Sequence, residues 1–165
     1  MTGDAAQTAL PVLQIVLRLL MAFACGAAIG LNREFHRKPA GFRTFALVSM
    51  GSALMVIVMQ GAHGSPDAVS RVMQGIVTGI GFLGAGVIFR RESPVKVSGL
   101  TTAAAVWLTA GLGIASGLGQ YAVAIAGAVL SLLLLLLGGP FERLITGRAK
   151  KNGDAGSGND SEDAP

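Results

Sequence analysis

The sequence is poor in charged residues. Asp, Glu, Lys and Arg make up 13% of its 165 residues, whereas 52% are hydrophobic and the mean hydropathy is +0.61. Soluble domains carry roughly a quarter charged residues. From Val97 to Phe141 there is no Lys, Arg, Asp, Glu or His. One helix of that length would be about twice as long as the roughly 30 Å hydrocarbon core of a bilayer. The composition therefore excludes a soluble domain and predicts a multi-pass membrane protein.

Side chains that perform catalysis or bind metals are also scarce. The single cysteine, Cys25, excludes an intramolecular disulfide and a cysteine-only metal site, and we expect it to be a small buried apolar residue. No spacing of Ser, His and carboxylates indicates a nucleophilic triad. The pI of 9.8 does not indicate a nucleic-acid partner, because the basic residues flank apolar segments. We predict neither an enzyme nor a cofactor, and leave an association with Mg²⁺ open.

Five transmembrane helices are predicted, at about residues 11–31, 44–60, 69–89, 98–116 and 120–138. All but two of the 13 Lys and Arg residues then fall on one side of the membrane; the exceptions are Arg71 and, within the first span, Arg18. By the positive-inside rule, the N-terminus is outside and the C-terminus is cytoplasmic.

The predicted domain organisation is simple. Residues 1–10 are a short external segment, and residues 11–145 form one all-α transmembrane domain. Residues 146–165 are rich in Gly, Ser, Asp and Asn, which predicts a disordered cytoplasmic tail.

The third span contains GIGFLG, from Gly79 to Gly84, which matches the dinucleotide-binding pattern G-x-G-x-x-G. That pattern needs a preceding strand and an acidic residue roughly 20 positions later, and neither is present. We interpret the glycines as helix-packing positions, with a transport pathway as the alternative. Because they lie on more than one side of the helix, they predict a central position for it: Gly75, Gly79, Gly81, Gly84 and Gly86.

Arg18 lies well inside the first span, where an unpaired charge costs at least about 2.5 kcal/mol on insertion scales. Its helix face also carries Ala22, Cys25, Ile29 and Asn32, so we expect this face to meet the interior of the bundle. Asp67 falls at the same end of the predicted topology, and we expect it to pair with Arg18.

The fourth span carries a stripe of small and hydroxyl residues. Such a stripe predicts adhesion to another helix, or hydrogen bonds back to carbonyls of the same helix. Trp107 lies mid-span, away from the interfacial belt, and is expected to pack in the bundle or at a subunit contact. The stripe comprises Ser98, Thr102, Thr109, Gly113 and Ser116.

Five blocks of sequence, in this order, resemble the membrane domain of the MgtC/SapB family of bacterial inner-membrane proteins. They are GLNREFHRKPAGFRT (Gly30–Thr44), LVSMGSAL (Leu47–Leu54), DAVSRVMQGI (Asp67–Ile76), GIGFLGAGVIFR (Gly79–Arg90) and GLTTAAAVWLTAGLGIASGLG (Gly99–Gly119).

The resemblance implies a role in magnesium homeostasis and, for some pathogenic members, survival inside host cells at low magnesium. Members are also discussed as regulators that bind other membrane proteins, including the F-type ATP synthase. Many have an acid where this sequence has Asn32, and many carry a soluble C-terminal domain that we do not expect here. The family-like polar positions are Arg33, Glu34, Arg43, Thr44, Asp67, Arg71, Gln74, Thr101, Thr102 and Trp107.

We therefore predict a bacterial inner-membrane protein linked to magnesium homeostasis or low-magnesium stress, acting as a regulator or partner-binding subunit. The alternative is a transporter or channel for Mg²⁺ or another small solute or ion, which the scarcity of carboxylates in the spans disfavours for cations. The expected partners are the lipid bilayer, further copies of the chain in a homo-oligomer, and another membrane protein such as an ATP synthase or a transporter. No nucleic acid is expected.

Overall fold

The computed structural model describes the backbone of residues 11–61, 65–91 and 96–154, and the side chains of 11–61, 65–88 and 98–138. Within these residues the chain forms five α-helices and one β-hairpin. The helices are α1 (Val12–Phe35), α2 (Phe42–Gly61), α3 (Pro66–Val87), α4 (Leu100–Gly117) and α5 (Tyr121–Asp154). Each is long and apolar enough to cross a membrane, α5 through its part Tyr121–Gly138. The predicted class, a helical membrane protein with five spans, is confirmed.

The core lies where α1, α2 and α4 contact one another. Glycines let their backbones come close: a Cβ on Gly26 of α1 would lie 2.5 Å from the carbonyl oxygen of Phe45 and 2.9 Å from Ser49 Cβ, both on α2. A Cβ on Gly113 of α4 would overlap the Ser49 carbonyl oxygen from the other side. Since lipid supplies little hydrophobic drive between helices, such close packing is what holds them together.

The face of α1 that the sequence assigns to the interior is the buried one. Ala22, Cys25 and Ile29 are all at most 5% exposed, and Cys25 is a free thiol. Helical spacing of four residues continues this face to Arg33, because α1 extends to Phe35, beyond the predicted end of the span at residue 31.

The central position predicted for α3 is wrong. In α3 only Ile80 and Gly84 are buried, whereas most of α4 is, and α4 contacts α1, α2 and α3. The reason is that the spacing of glycines determines how closely another helix can approach, but it does not determine which helices pack against each other. The buried residues of α4 are mostly Ala, Gly, Ser and Thr, so α1, α2 and α3 all pack against it.

A β-hairpin joins α3 to α4 where the sequence predicts a plain loop. Strand β1 (Phe89–Arg91) pairs antiparallel with β2 (Lys96–Ser98). Gly99 then turns the chain into α4 with φ of +98°, and a Cβ there would overlap the carbonyl of Val87. Only glycine meets both requirements.

Two compact units divide the chain, Met1–Ser131 and Leu132–Pro165. In the first unit, Ala124 and Ala128 of α5 are buried. In the second, the backbone stays helical to Asp154, past residue 146 where the sequence predicts a disordered tail. Past residue 146, Arg148, Ala149, Lys150 and Lys151 are residues that favour a helix. Residues 1–10 and 155–165, which hold the predicted external segment and the rest of the tail, lie outside the described residues.

Candidate functional site: two intramembrane arginines and an open helix face

Arg18 joins three helices at the end of the bundle where α2 and α4 terminate. Its Nη1 donates a hydrogen bond to Gln60 Oε1 at 2.5 Å and another to the carbonyl oxygen of Gly117 at 2.8 Å. The pair predicted with Asp67 is therefore wrong: the guanidinium is occupied by α2 and α4, and Asp67 is exposed in the first turn of α3. A carboxylate there favours the helix N-terminus through the macrodipole.

Gly119 leaves room for the Arg18 guanidinium. A Cβ on Gly119 would lie 3.1 Å from Arg18 Nη2, and its φ of +76° is a left-handed value that glycine adopts without strain. Arg18 thus holds the ends of α2 and α4 together as a structural cation. Sequence reasoning missed Gln60, although its position in the last turn of α2 places it at the Arg18 end of any five-span topology.

Arg33 lies at the opposite end of α1 and is more deeply buried, with 5% of its surface exposed. One of its terminal nitrogens, Nη2, donates to Thr102 Oγ1 in the first turn of α4. Its Nε is buried and has no hydrogen-bond partner in the part of the chain that the structure describes. A buried donor left unpaired costs about 1–3 kcal/mol. The structure therefore brings together two predicted residues, Arg33 and Thr102, and leaves the cation incompletely satisfied.

The first turn of α4, beside Arg33, has no side-chain cap among the described residues. Its N-cap residue is Gly99, which has no side-chain oxygen to accept from the first backbone N–H groups. Thr101 is exposed next to the buried Thr102.

Glu34, the acid that follows Arg33, performs a different task. Its Oε2 accepts a hydrogen bond of 2.9 Å from the backbone N–H of Phe42, at the start of α2. It thereby caps α2 and closes the connection from α1. Arg43 and Thr44, in the first turn of α2, are both exposed.

The hydroxyls of α4 divide into two groups. Thr109 donates to the carbonyl of Ala105 and Ser116 to that of Leu112, both 2.8 Å and both four residues back in the same helix. Thr102 alone among these three reaches another helix. Trp107 is 53% exposed, so it does not pack in the interior of this chain, and of its two predicted positions the subunit contact stays a prediction.

The outer side of α3 carries its polar and small residues. Arg71, Gln74 and Thr78 are all exposed, and Phe82 is 83% exposed. Among the described residues, nothing lies within 4 Å of a Cβ built on several glycines of this helix: Gly75, Gly79, Gly81 and Gly86. Gly84 lies on the inner side, near Ala103 at 3.8 Å. At 100° per residue, Arg71, Gly75, Thr78 and Phe82 lie along one line opposite Ile80, with the exposed Gln74 on one side of that line and the exposed Gly79 on the other. We call this set the open face of α3.

Comparison with known proteins identifies the family. The family model of MgtC matches residues 19–144. The chain belongs to the MgtC family. It is 47% identical over 134 residues to SrpB of Synechococcus elongatus, covering 74% of each chain. It is 44% identical over 122 residues to MgtC of Salmonella typhimurium, covering 74% of this chain and 51% of that protein. No solved structure matches the chain.

A further MgtC family relative is YhiD of Escherichia coli K12, which is named as a candidate magnesium transporter. The two are 42% identical over 132 residues, covering 74% of this chain and 59% of YhiD. The chain thus spans about half the length of Salmonella MgtC and somewhat more of YhiD. The family match includes Arg33, Glu34 and Thr102, and begins one residue after Arg18. The resemblance drawn from the sequence blocks is confirmed.

For this member of the MgtC family, the described residues hold no cluster of three or more His, Cys, Asp or Glu side chains that could bind a metal ion. The acids lie apart: Glu34 caps α2, and Asp67 stands in the first turn of α3 at the other end of the bundle. Among the described charged side chains, only the two cations Arg18 and Arg33 are half-buried or buried. Through their hydrogen bonds to Gln60, Gly117 and Thr102, these two arginines link α1 to α2 and α4.

Proposed function

We propose that this MgtC family protein is a non-enzymatic regulator or partner-binding subunit linked to magnesium homeostasis. Salmonella MgtC supports the family assignment, and the name of YhiD supports the link to magnesium. The proposed location is the bacterial inner membrane, with the N-terminus outside and the C-terminus in the cytoplasm, which the distribution of Lys and Arg supports.

The observation that carries this proposal is the close packing of α1, α2 and α4 around Ser49. Where α1, α2 and α4 meet, Gly26 and Gly113 bring backbones into contact near Ser49, so these described parts of the three helices pack directly against one another at this level. The hydroxyls of Thr109 and Ser116 bond within their own helix and do not line a path.

Charge points the same way. Mg²⁺ takes oxygen ligands and usually keeps several waters, so a path for it needs carboxylates or carbonyls facing water. The charged side chains of α1 that are buried or half-buried are Arg18 and Arg33, and both are cations. The one acid of α1, Glu34, is exposed and accepts a hydrogen bond from the backbone N–H of Phe42. Each arginine would repel Mg²⁺ from the interior. A binding role is therefore better supported than cation transport.

The open face of α3 is the surface proposed for binding, with a second copy of the chain as the first partner. Gln74 and Thr78 are polar groups that lipid cannot satisfy, and Gly75 and Gly79 allow a helix to come close. A glutamine amide both donates and accepts, so Gln74 of two copies can pair across a two-fold axis. Another membrane protein, such as an ATP synthase or a transporter, is the alternative occupant.

The decisive experiment measures Mg²⁺ entry into sealed liposomes that contain the purified, folded protein. We expect entry no faster than into empty liposomes, while a divalent ionophore added at the end shows that the vesicles respond. Entry well above the empty control would replace the regulator with a transporter.

The binding surface is tested separately in cells grown at limiting magnesium. Gly79→Leu should abolish the function of the protein at unchanged membrane abundance, because leucine blocks approach to the open face of α3. Gly111→Leu is the matched control, since Gly111 on α4 also has nothing within 4 Å among the described residues. Equal loss in both variants, or in neither, would rule out this face.

The homo-oligomer is tested by disulfide crosslinking in native membranes. In a Cys25→Ala background, Gly79→Cys should give a dimer on mild oxidation and Gly111→Cys should stay monomeric. A monomer in both would exclude a second copy and leave a different membrane protein as the occupant.

A further inference from the structure

Arg33 is a buried cation whose guanidinium lacks part of its hydrogen-bond acceptors among the described residues. Its side chain is 5% exposed, it donates to Thr102 from Nη2, and its buried Nε has no partner among the described residues. Guanidinium groups bind carboxylates and phosphates through two parallel N–H donors. A single hydroxyl acceptor does not satisfy that fork.

The acid next to Arg33 in sequence does not fill the gap. Glu34 points its Oε2 to the backbone N–H of Phe42 on α2. Of the charged residues that follow, Arg37, Lys38 and Arg43 are all basic and exposed. The surroundings thus add positive charge to Arg33.

The start of α4 supplies further donors at the same place. An 18-residue helix begins at Leu100, and its N-cap, Gly99, provides no acceptor for the backbone N–H groups of the first turn. The N-terminus of a helix favours anions through these N–H groups and through the helix dipole. Thr102 accepts from Arg33 through its oxygen, so its own O–H is free to donate.

The backbone conformation and the close approach of Val87 both require a glycine at position 99. A Cβ there would overlap the carbonyl of Val87, and φ is +98°. Serine, threonine or aspartate, the usual N-caps, are therefore excluded. The first turn of α4 can be capped only by a group from outside this turn.

We propose that Arg33, the Thr102 hydroxyl and the uncapped first turn of α4 form a binding site for a phosphate group. A tetrahedral phosphate offers several acceptor oxygens, as this set of donors requires. The site lies in the last turn of α1, at the boundary of the span, where two sources of phosphate meet: the headgroup of an anionic phospholipid and a soluble phosphate compound. The inference does not depend on the partner-binding role proposed above.

The test uses the purified full-length protein and two probes. Native mass spectrometry after delipidation and return to vesicles of phosphatidylglycerol or phosphatidylcholine reports a retained lipid. Titration with inorganic phosphate at constant ionic strength, followed by thermal unfolding, reports a soluble ligand. The variants are Arg33→Gln, Thr102→Val, and Arg37→Gln as the matched control for loss of one exposed positive charge.

We expect binding of one of these probes to weaken about 10-fold or more in Arg33→Gln, because a charge-assisted fork is lost, and by a few-fold in Thr102→Val. Arg37→Gln should change it less than about 2-fold, since exposed charges contribute little. Retention of phosphatidylglycerol alone identifies the lipid source, and stabilisation by inorganic phosphate identifies the soluble one.

Two outcomes would overturn the site. In the first, neither probe binds the wild-type protein. In the second, Arg37→Gln weakens binding as much as Arg33→Gln does, which would make the effect a property of surface charge. If Arg33→Gln does not fold, Thr102→Val decides the matter, because valine has nearly the shape of threonine and removes only the hydroxyl.

Discussion

Helices α3 and α4 have similar residues and opposite surroundings. Both carry glycines and hydroxyls at helical spacing, yet 56% of the apolar window of α4 is buried inside the chain and only 11% of that of α3. Gly113 of α4 lies against the backbone of α2, whereas Gly79 of α3 has nothing within 4 Å among the described residues. Small residues make close contact feasible, and the neighbouring helices decide whether it is made.

The two arginines of α1 also differ in their surroundings, in the number of hydrogen-bond acceptors that each one has. Arg18 has two protein acceptors, Gln60 and the Gly117 carbonyl, and thereby serves the fold. Arg33 has one, Thr102, and an unpaired Nε. Removing Arg18 would leave two acceptors without a donor, whereas the buried Nε of Arg33 already lacks an acceptor among the described residues and costs stability until a ligand supplies one.

The largest effect on stability is expected where α4 packs against the backbone of α2. Gly113→Ala should lower the free energy of unfolding by about 3 kcal/mol, because the new Cβ overlaps the Ser49 carbonyl and two backbones must separate. Gly111→Ala, in the same helix with open space around it, should change it by less than about 1 kcal/mol. Denaturant titration in detergent measures both, and equal effects would contradict the packing described for α4.

The next effect separates the two arginines. Arg18→Met should cost about 2 kcal/mol, because the Gln60 and Gly117 oxygens lose their donor. Arg33→Met should stay within about 1 kcal/mol of wild type in phosphate-free detergent, since it removes a buried charge that was poorly paired. Thermal unfolding of the two variants side by side tests this, and a larger loss for Arg33→Met would mean that its charge is already satisfied.

A smaller effect distinguishes the hydroxyls of α4. Thr102→Val should cost about 1 kcal/mol, since it takes the acceptor from Arg33. Thr109→Val should cost less than about 0.5 kcal/mol, because Thr109 bonds only to its own helix at Ala105 and the valine keeps its shape. The comparison is made by thermal unfolding at equal detergent concentration. Equal costs would remove the distinction between a hydroxyl that joins helices and one that does not.

The sequence predicts the positions of the helices better than it predicts which helices pack against each other. Long apolar runs and the distribution of Lys and Arg predict five spans, because the bilayer requires every backbone group to bond within its helix. The sequence does not predict the pairing of Phe89–Arg91 with Lys96–Ser98, because strands of three residues are too short to show an alternation of apolar and polar residues.

The candidate site was predicted in part, for two physical reasons. The sequence places Arg33 after the first span, because charge marks the end of a span. In the structure α1 continues to Phe35, and Arg33 is buried on the same face as Ile29. Arg18 was paired with a carboxylate by charge, while its partners are neutral oxygens of Gln60 and Gly117. These oxygens are uncharged, so the pattern of charges in the sequence does not indicate them. The position of Gln60 near the end of α2 is the one signal that could have found it.

The smallest effect on the fold is expected on the open face of α3, and it has the opposite sign. Gly79→Ala adds a methyl group where the described residues leave open space, and alanine favours the helix over glycine by about 1 kcal/mol. The isolated chain in detergent should therefore unfold at the same temperature or slightly higher. In native membranes the same methyl group should weaken association through α3, so crosslinking between copies should fall while stability does not. Loss of stability in detergent would instead place Gly79 in a contact within the chain, and α3 would then resemble α4 after all.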